Sequence, residues 1–168
     1  MENQTYQIRP LKPEDADRMV EMMRDAQTTR YLQIGGPDYT KETALRFISQ
    51  TTDESRHLHR AVVDAEDVYQ GTISLKNIDP EKKEAEYAIS MHPAAQGTGA
   101  AKTATELILK LAFEERNLKR VYLNVLEENQ RANKFYRKVG FGYTHTTRME
   151  FHGEEKSLNW YDVRKTGL

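Results

Sequence analysis

Apolar positions along the chain recur with two different periods. Between residues 57 and 92 three stretches, HLHRAVVDA, VYQGTISLKNI and EAEYAISMH, carry apolar or β-branched residues at alternate positions. That is the spacing of strands whose successive side chains point to opposite faces. In the third stretch Ala85, Tyr87, Ile89 and Met91 alternate with Glu86, Ala88 and Ser90. Turn-forming residues 64–67 and 77–80 separate the three, which predicts an antiparallel meander. Residues 4–11 read as an earlier strand. After Pro13, with Glu14, Asp15 and Asp17 in the first turn, Ala16, Met19, Val20 and Met23 recur at i, i+3, i+4, i+7, which predicts a helix with one buried face. Thr40, followed by Glu42 and Thr43, opens a second helix with Ala44, Leu45, Phe47 and Ile48 as its apolar surface. The stretch between them, TRYLQIGGPDYT, combines Gly35-Gly36-Pro37 with Tyr31 and Tyr39, and fits either a recognition loop or a plain helix connection.

Beyond Pro93 the pattern changes again. Gln96-Gly97-Thr98-Gly99-Ala100-Ala101 has almost no side-chain bulk, and Ala104, Leu107, Ile108, Leu111 and Ala112 then trace an amphipathic helix ending near Arg116-Asn117. Residues 118–126 form a strand with Val121, Leu123 and Val125 on one face. A strand, a helix and a strand of this size make a crossover unit, so this strand is expected to lie parallel to the one carrying Glu86. A short helix follows, with Ala132, Phe135, Tyr136 and Val139 on its packed face and Gly140 as its C-terminal stop. FGYTHTTRMEF and KSLNWYDVRK around HGEE close the chain as a hairpin. The elements predict one α/β domain over residues 1–168, with a mixed, mostly antiparallel sheet flanked by helices.

Composition narrows what such a domain does. The chain has 168 residues, 38% of them hydrophobic, enough for one core. Lys and Arg number 25 against 26 Asp and Glu, a net charge of -1, so no nucleic-acid partner is expected and any phosphate must be gripped locally. The absence of cysteine removes disulfides, thiolate metal sites and Cys nucleophiles together. MENQTYQIRP resembles no export signal and no segment is apolar enough to cross a bilayer, so the expectation is a soluble, cytoplasmic protein without a membrane partner. His57 and His59 lie two apart on one strand without a visible third ligand, so no metal is expected.

The small-residue turn from Gln96 to Ala101 carries the chemistry. Opening a helix, it leaves backbone N–H groups unpaired where the helix dipole also favours an anion, and a phosphate is the expected guest. A dinucleotide fingerprint would want a third glycine where Lys102 stands, and a phosphate-binding Gly-Lys-Ser/Thr loop lacks its glycine, since Ala101 precedes Lys102-Thr103.

Two signatures together resemble the GCN5-related N-acetyltransferase (GNAT) superfamily, and its RimJ/RimL-like branch in particular. One is the loop itself, Gln96, Gly97-Thr98, Gly99, Ala100, Ala101, with the lead-in Met91-His92-Pro93. The other is Asn129, Ala132, Tyr136, Lys138, Gly140, Phe141. The resemblance implies a sheet splayed at the cofactor strand and acetyl-CoA as cosubstrate. It places the pyrophosphate on the N–H groups of Gln96, Gly97, Thr98, Gly99, Ala100 and Ala101, and pairs the pantetheine arm with the main chain of Ile89 and Met91. Asn129 would help place that arm, though it also fits a simple N-cap. Tyr136 would be the general acid, protonated at neutral pH and able to donate without carrying charge, though it also fits a packed helix face. Glu86 would take the amine proton, directly or through water, though it also fits a solvated strand carboxylate. Related N-terminal acetyltransferases carry a Glu where Asn124 stands, a departure that weakens transfer of their mechanism. Acetyl transfer to a primary amine, of a small molecule or of a protein N-terminus, is the expected activity. A catalytically silent acyl-CoA-binding module is the alternative. Substrate walls are expected from residues 31–40 and the hairpin near Trp160 and Tyr161, and a homodimer paired through that hairpin is open.

Overall fold

The alternating runs become neighbouring strands of one sheet in the computed structural model, which describes residues 5–32 and 34–166. The meander is β2 (Leu58–Val63), β3 (Tyr69–Asp79) and β4 (Glu84–Met91), antiparallel as expected. The first strand, β1 (Gln7–Arg9), pairs with β2 and is shorter than the predicted span, whose first residue Gln4 lies outside the described residues. Strands β5 (Arg120–Leu126), β6 (Gly142–Phe151) and β7 (Glu154–Arg164) complete a seven-stranded sheet in the order β1-β2-β3-β4-β5-β7-β6. The closing hairpin therefore inserts its second strand, not its first, beside β5.

Helices cover both faces. On one side α1 (Ala16–Arg24), the single turn α2 (Ala26–Thr29) and α3 (Lys41–Ser49) cover the first half of the sheet. A 3-10 turn, Pro13–Asp15, precedes α1. Met19, Met22, Met23, Ala44 and Ile48 pack there with Ala61, Val63 and Tyr69. The 3.6-residue pattern found this face, missed Met22 and overrated Leu45, which is exposed. Thr40 caps α3 as its position suggested, its hydroxyl accepting from the Thr43 N–H at 3.1 Å.

On the other side α4 (Ala100–Lys110), running on through a π-turn at Leu111–Glu115, lays Ala100, Ala104, Ile108 and Ala112 against Leu58, Ile73, Leu75, Ala85, Tyr87, Val121 and Leu123. Full burial of a side chain such as Ile108 is worth about 1.5–3 kcal/mol. The short helix α5 (Gln130–Lys138) follows β5 and leans Ala132 and Tyr136 on the same core.

The feature that positions the site is where β4 and β5 part. They run parallel, as the crossover argument required, but pair only at Glu84–Arg120, Ala85–Val121 and Glu86–Tyr122. On its other edge β5 pairs with β7 throughout, from Arg120–Arg164 to Leu126–Leu158, and beyond Tyr122 that is the one strand it keeps. The sheet splits into a cleft between the end of β4 and the end of β5.

Candidate active site

The β4 wall of the cleft is main chain. His92 N–H donates to the Gln70 carbonyl at 2.7 Å, so in this antiparallel ladder the even-numbered residues of β4 bond to β3. The N–H and C=O groups of Ile89 and Met91 therefore point the other way, into the cleft, past the last rung to β5. An extended chain laid there finds a strand edge ready to pair.

At the end of β4 the chain turns over a 3-10 turn, Pro93–Ala95, whose cap is His92: Nδ1 accepts from the Ala94 N–H at 3.0 Å while Nε2 donates to Glu21 on α1 at 2.8 Å. The small-residue loop follows. The N–H groups of Gln96 and Thr98 bond to the Pro93 and Ala95 carbonyls, and that of Ala100 to the Thr98 hydroxyl. Those of Gly97, Gly99, Ala101 and Lys102 have no partner among the described residues. Gly97 and Gly99 have φ of +76° and +86°, and a Cβ on either would project into open space. Glycine is what permits this backbone. The result is a set of unpaired donors at the start of α4, where a helix N-terminus favours an anion. Arg131, from the first turn of α5, donates to the Gln96 side-chain oxygen at 2.6 Å and brings a cation to the rim.

The opposite wall is side chain. Asn129 caps α5, its Oδ1 accepting from the Ala132 N–H at 3.3 Å. Two turns further on, Tyr136 packs edge-on against Tyr87 with ring centroids 5.8 Å apart, and also against Phe141 and Tyr161. Among the described residues nothing hydrogen-bonds its hydroxyl, which keeps a small contact with solvent at the edge of the packed rings. Burial of the ring pushes the phenol up to about 12. It stays protonated at any ordinary pH.

Glu86 sits on the last rung between the strands, on the sheet face opposite Tyr87. Its carboxylate accepts from the Asn77 side-chain amide at 3.2 Å and lies 3.6 Å from the Lys76 ammonium, with a fifth of its side chain exposed. Glu86 and Tyr136 thus approach the point of splitting from opposite faces. Asn124 pairs with Trp160 across β5 and β7 and carries no charge to this site. Neither His57 nor His59 belongs to it: His57 accepts from the Asn77 N–H, and His59, hydrogen-bonded to Ser74, is depressed to about 4, chiefly by burial.

Sequence reasoning missed the inward-facing amide of Asn133, which binds α5 to the end of β5 and to β7. Its spacing of four from Asn129 and three from Tyr136 was the available signal.

Residues 6–142 match the family described as Acetyltransferase (GNAT) domain. The chain belongs to the GNAT acetyltransferases. The spermidine N(1)-acetyltransferase of Escherichia coli K12 is 30% identical over 142 residues, spanning 82% of this chain and 73% of that protein. The crystal structure of spermidine N-acetyltransferase from Vibrio cholerae in complex with CoA and spermine superposes with a TM-score of 0.84 at 22% identity, covering 95% of both chains. A GNAT-family acetyltransferase from Bacillus anthracis gives 0.84 at 19% identity, covering 97% of this chain and 96% of that one. At such identities the structures speak for the fold alone. This GNAT protein is an acetyl-CoA-dependent N-acetyltransferase with an amine acceptor, rather than a silent binding module. The narrower RimJ/RimL-like placement finds no support, since the named relatives are spermidine acetyltransferases. Among the described residues no helix is long and apolar enough to cross a membrane, and no group of three potential metal ligands converges.

Proposed function

We propose that the acceptor is an aliphatic polyamine and that the cleft between β4 and β5 is where its amine meets the thioester. The observation that carries the acceptor class is the 30% identity, over most of the chain, to a spermidine acetyltransferase. Three carboxylates near the point of splitting, Glu84 and Glu86 on β4 and Asp162 on β7, suit a chain of ammonium groups. Arg120 and Lys76 share them, so a polyamine would compete with resident cations and its binding would weaken as salt rises.

Acetyl-CoA supplies the acetyl group as cosubstrate. The open N–H groups of Gly97, Gly99, Ala101 and Lys102 would hold its pyrophosphate, with Gln96, Thr98 and Ala100 shaping the loop around them. Ile89 and Met91 would pair with the pantetheine arm along the free edge of β4, and Asn129 would face it from the other wall. Glu86 takes the proton that the amine must lose to become a nucleophile. The amine nitrogen bonds to the carbonyl carbon, gives its second proton to solvent to leave a neutral amide, and the C–S bond breaks. Tyr136, neutral because its ring is buried, donates its hydroxyl proton towards the departing sulfur, and solvent restores it. The base and the acid work from opposite faces of the split sheet, so the group that takes the amine proton and the group that protonates the sulfur stay apart.

Thiol release from acetyl-CoA across an amine panel tests this reading. Spermidine and spermine are expected to exceed monoamines, amino acids and peptide N-termini by at least about tenfold in kcat/KM, the scale of a few extra charge contacts. A peptide N-terminus turned over as well as spermidine would overturn the acceptor assignment.

A further inference from the structure

The cleft exists because β5 leaves β4, and something must hold it away. Asn133 is 6% exposed and makes five hydrogen bonds. Its Nδ2 donates to the carbonyls of Leu126 at 3.0 Å and Asn129 at 2.8 Å, and more weakly to that of Glu127 at 3.4 Å. Those three residues are the last of β5 and the turn into α5. Its Oδ1 accepts from the Tyr161 hydroxyl at 2.6 Å and the Asn159 amide at 3.0 Å, both on β7. Asn159 in turn accepts from the Thr146 hydroxyl on β6 at 2.8 Å. One side chain therefore fastens the end of β5, the turn and α5 to β7, on the side away from β4.

We infer that Asn133, anchored by Asn159 and Tyr161, is a positioning residue that holds the β5 wall of the cleft open and aims Asn129 and Tyr136 into it. The network is closed, since no buried polar side-chain atom among the described residues is left unpaired. A closed buried network defines one arrangement, whereas apolar packing alone tolerates several. The geometry is directional too. Asn129 offers its carbonyl to Asn133 while its side chain caps the helix, and Tyr136 lies one turn on from Asn133 with its ring 6.4 Å from that of Tyr161, the residue Asn133 grips. A rotation of α5 about its axis would move both cleft-facing groups together. Displacement of about 1 Å at a reacting group can cost on the order of 100-fold in rate.

The inference rests on the proposed roles of Asn129 and Tyr136, and the experiment separates the two. Asn133→Leu, close in volume and without any of the five bonds, is compared with Tyr161→Phe, which loses one bond and keeps the ring, and with Tyr136→Phe. Folding is checked by thermal melting, and Asn133→Ser replaces the Leu variant if that variant is unfolded at the assay temperature. The Asn133 variant, folded, is expected to lose at least about 30-fold in kcat and to raise KM for acetyl-CoA several-fold, with KM for the amine within about twofold. Tyr161→Phe should fall between it and the parent. A folded Asn133 variant with kcat and both KM values within about twofold of the parent would overturn the inference while Tyr136→Phe is inactive. An active Tyr136→Phe would instead remove the acid role, leaving the rise in KM for acetyl-CoA to decide whether Asn133 sets the cleft wall.

Discussion

One wall of the cleft, β4 and the loop after it, offers main-chain groups. The other, β5 and α5, offers side chains that other side chains hold in place. The first wall depends on two conditions that short sequence can meet, a strand that runs on past its neighbour and glycines that let a loop bare its N–H groups. The second depends on long-range contacts: Tyr136 on Tyr87, and Asn133 on Asn159 and Tyr161, are 49, 26 and 28 residues apart respectively. A binding surface made of backbone is hard to lose by changing one side chain and easy to lose by adding bulk. A catalytic surface made of side chains behaves the opposite way. Binding and turnover should therefore separate by wall.

The largest expected effect is on the side-chain wall. Tyr136→Phe should cost about 100-fold or more in kcat, the usual contribution of a positioned general acid, with the Kd for acetyl-CoA within about twofold. Because burial pushes this phenol up to about 12, the parent enzyme should show no loss of kcat between about pH 8 and 10 from Tyr136 ionising. A fall in that range that disappears in the Phe variant would break the assignment. On the main-chain wall the split reverses. Gly99→Val forces a branched residue to a φ of +86° and so distorts the loop that bares the N–H groups; Kd for acetyl-CoA should rise about tenfold or more, while kcat at saturating cofactor changes less. Equal damage to kcat and Kd would mean that the two walls are not separable. The smallest effect belongs to Glu86, on the rung that joins them. Glu86→Gln should lower kcat/KM for the amine about tenfold near neutral pH and progressively less towards the amine's own pKa, where free base is plentiful. An effect independent of pH would make Glu86 a structural partner of Lys76 and Asn77.

The same division explains what could be read in the chain beforehand. The meander, the crossover and the glycine turn that opens α4 follow from local periodicity and from two glycines, and each stands where the pattern put it. Thr40 and Asn129 were legible as caps because a cap is a local hydrogen bond. Met22 and Leu45 were misplaced because half a residue of helical phase decides which of two neighbours faces the core. The order of the last two strands was not legible, since a hairpin can add to a sheet by either arm and the choice depends on what β5 can pair with. Asn133 was overlooked for a related reason. A polar residue on a charged helix reads as solvated until β7, more than twenty residues on, supplies its partners.

The central claim is that acetyl-CoA lies in the split between β4 and β5 with its phosphates on the open loop. Amide hydrogen exchange with and without acetyl-CoA tests it most directly, because the groups concerned are unpaired N–H groups. Slowed exchange at Ile89 and Met91, and at Gly97, Gly99, Ala101 and Lys102, with residues 142–151 of β6 unchanged, is the predicted result. Saturating acetyl-CoA that leaves those amides exchanging as before, or that protects β6 instead, would contradict it.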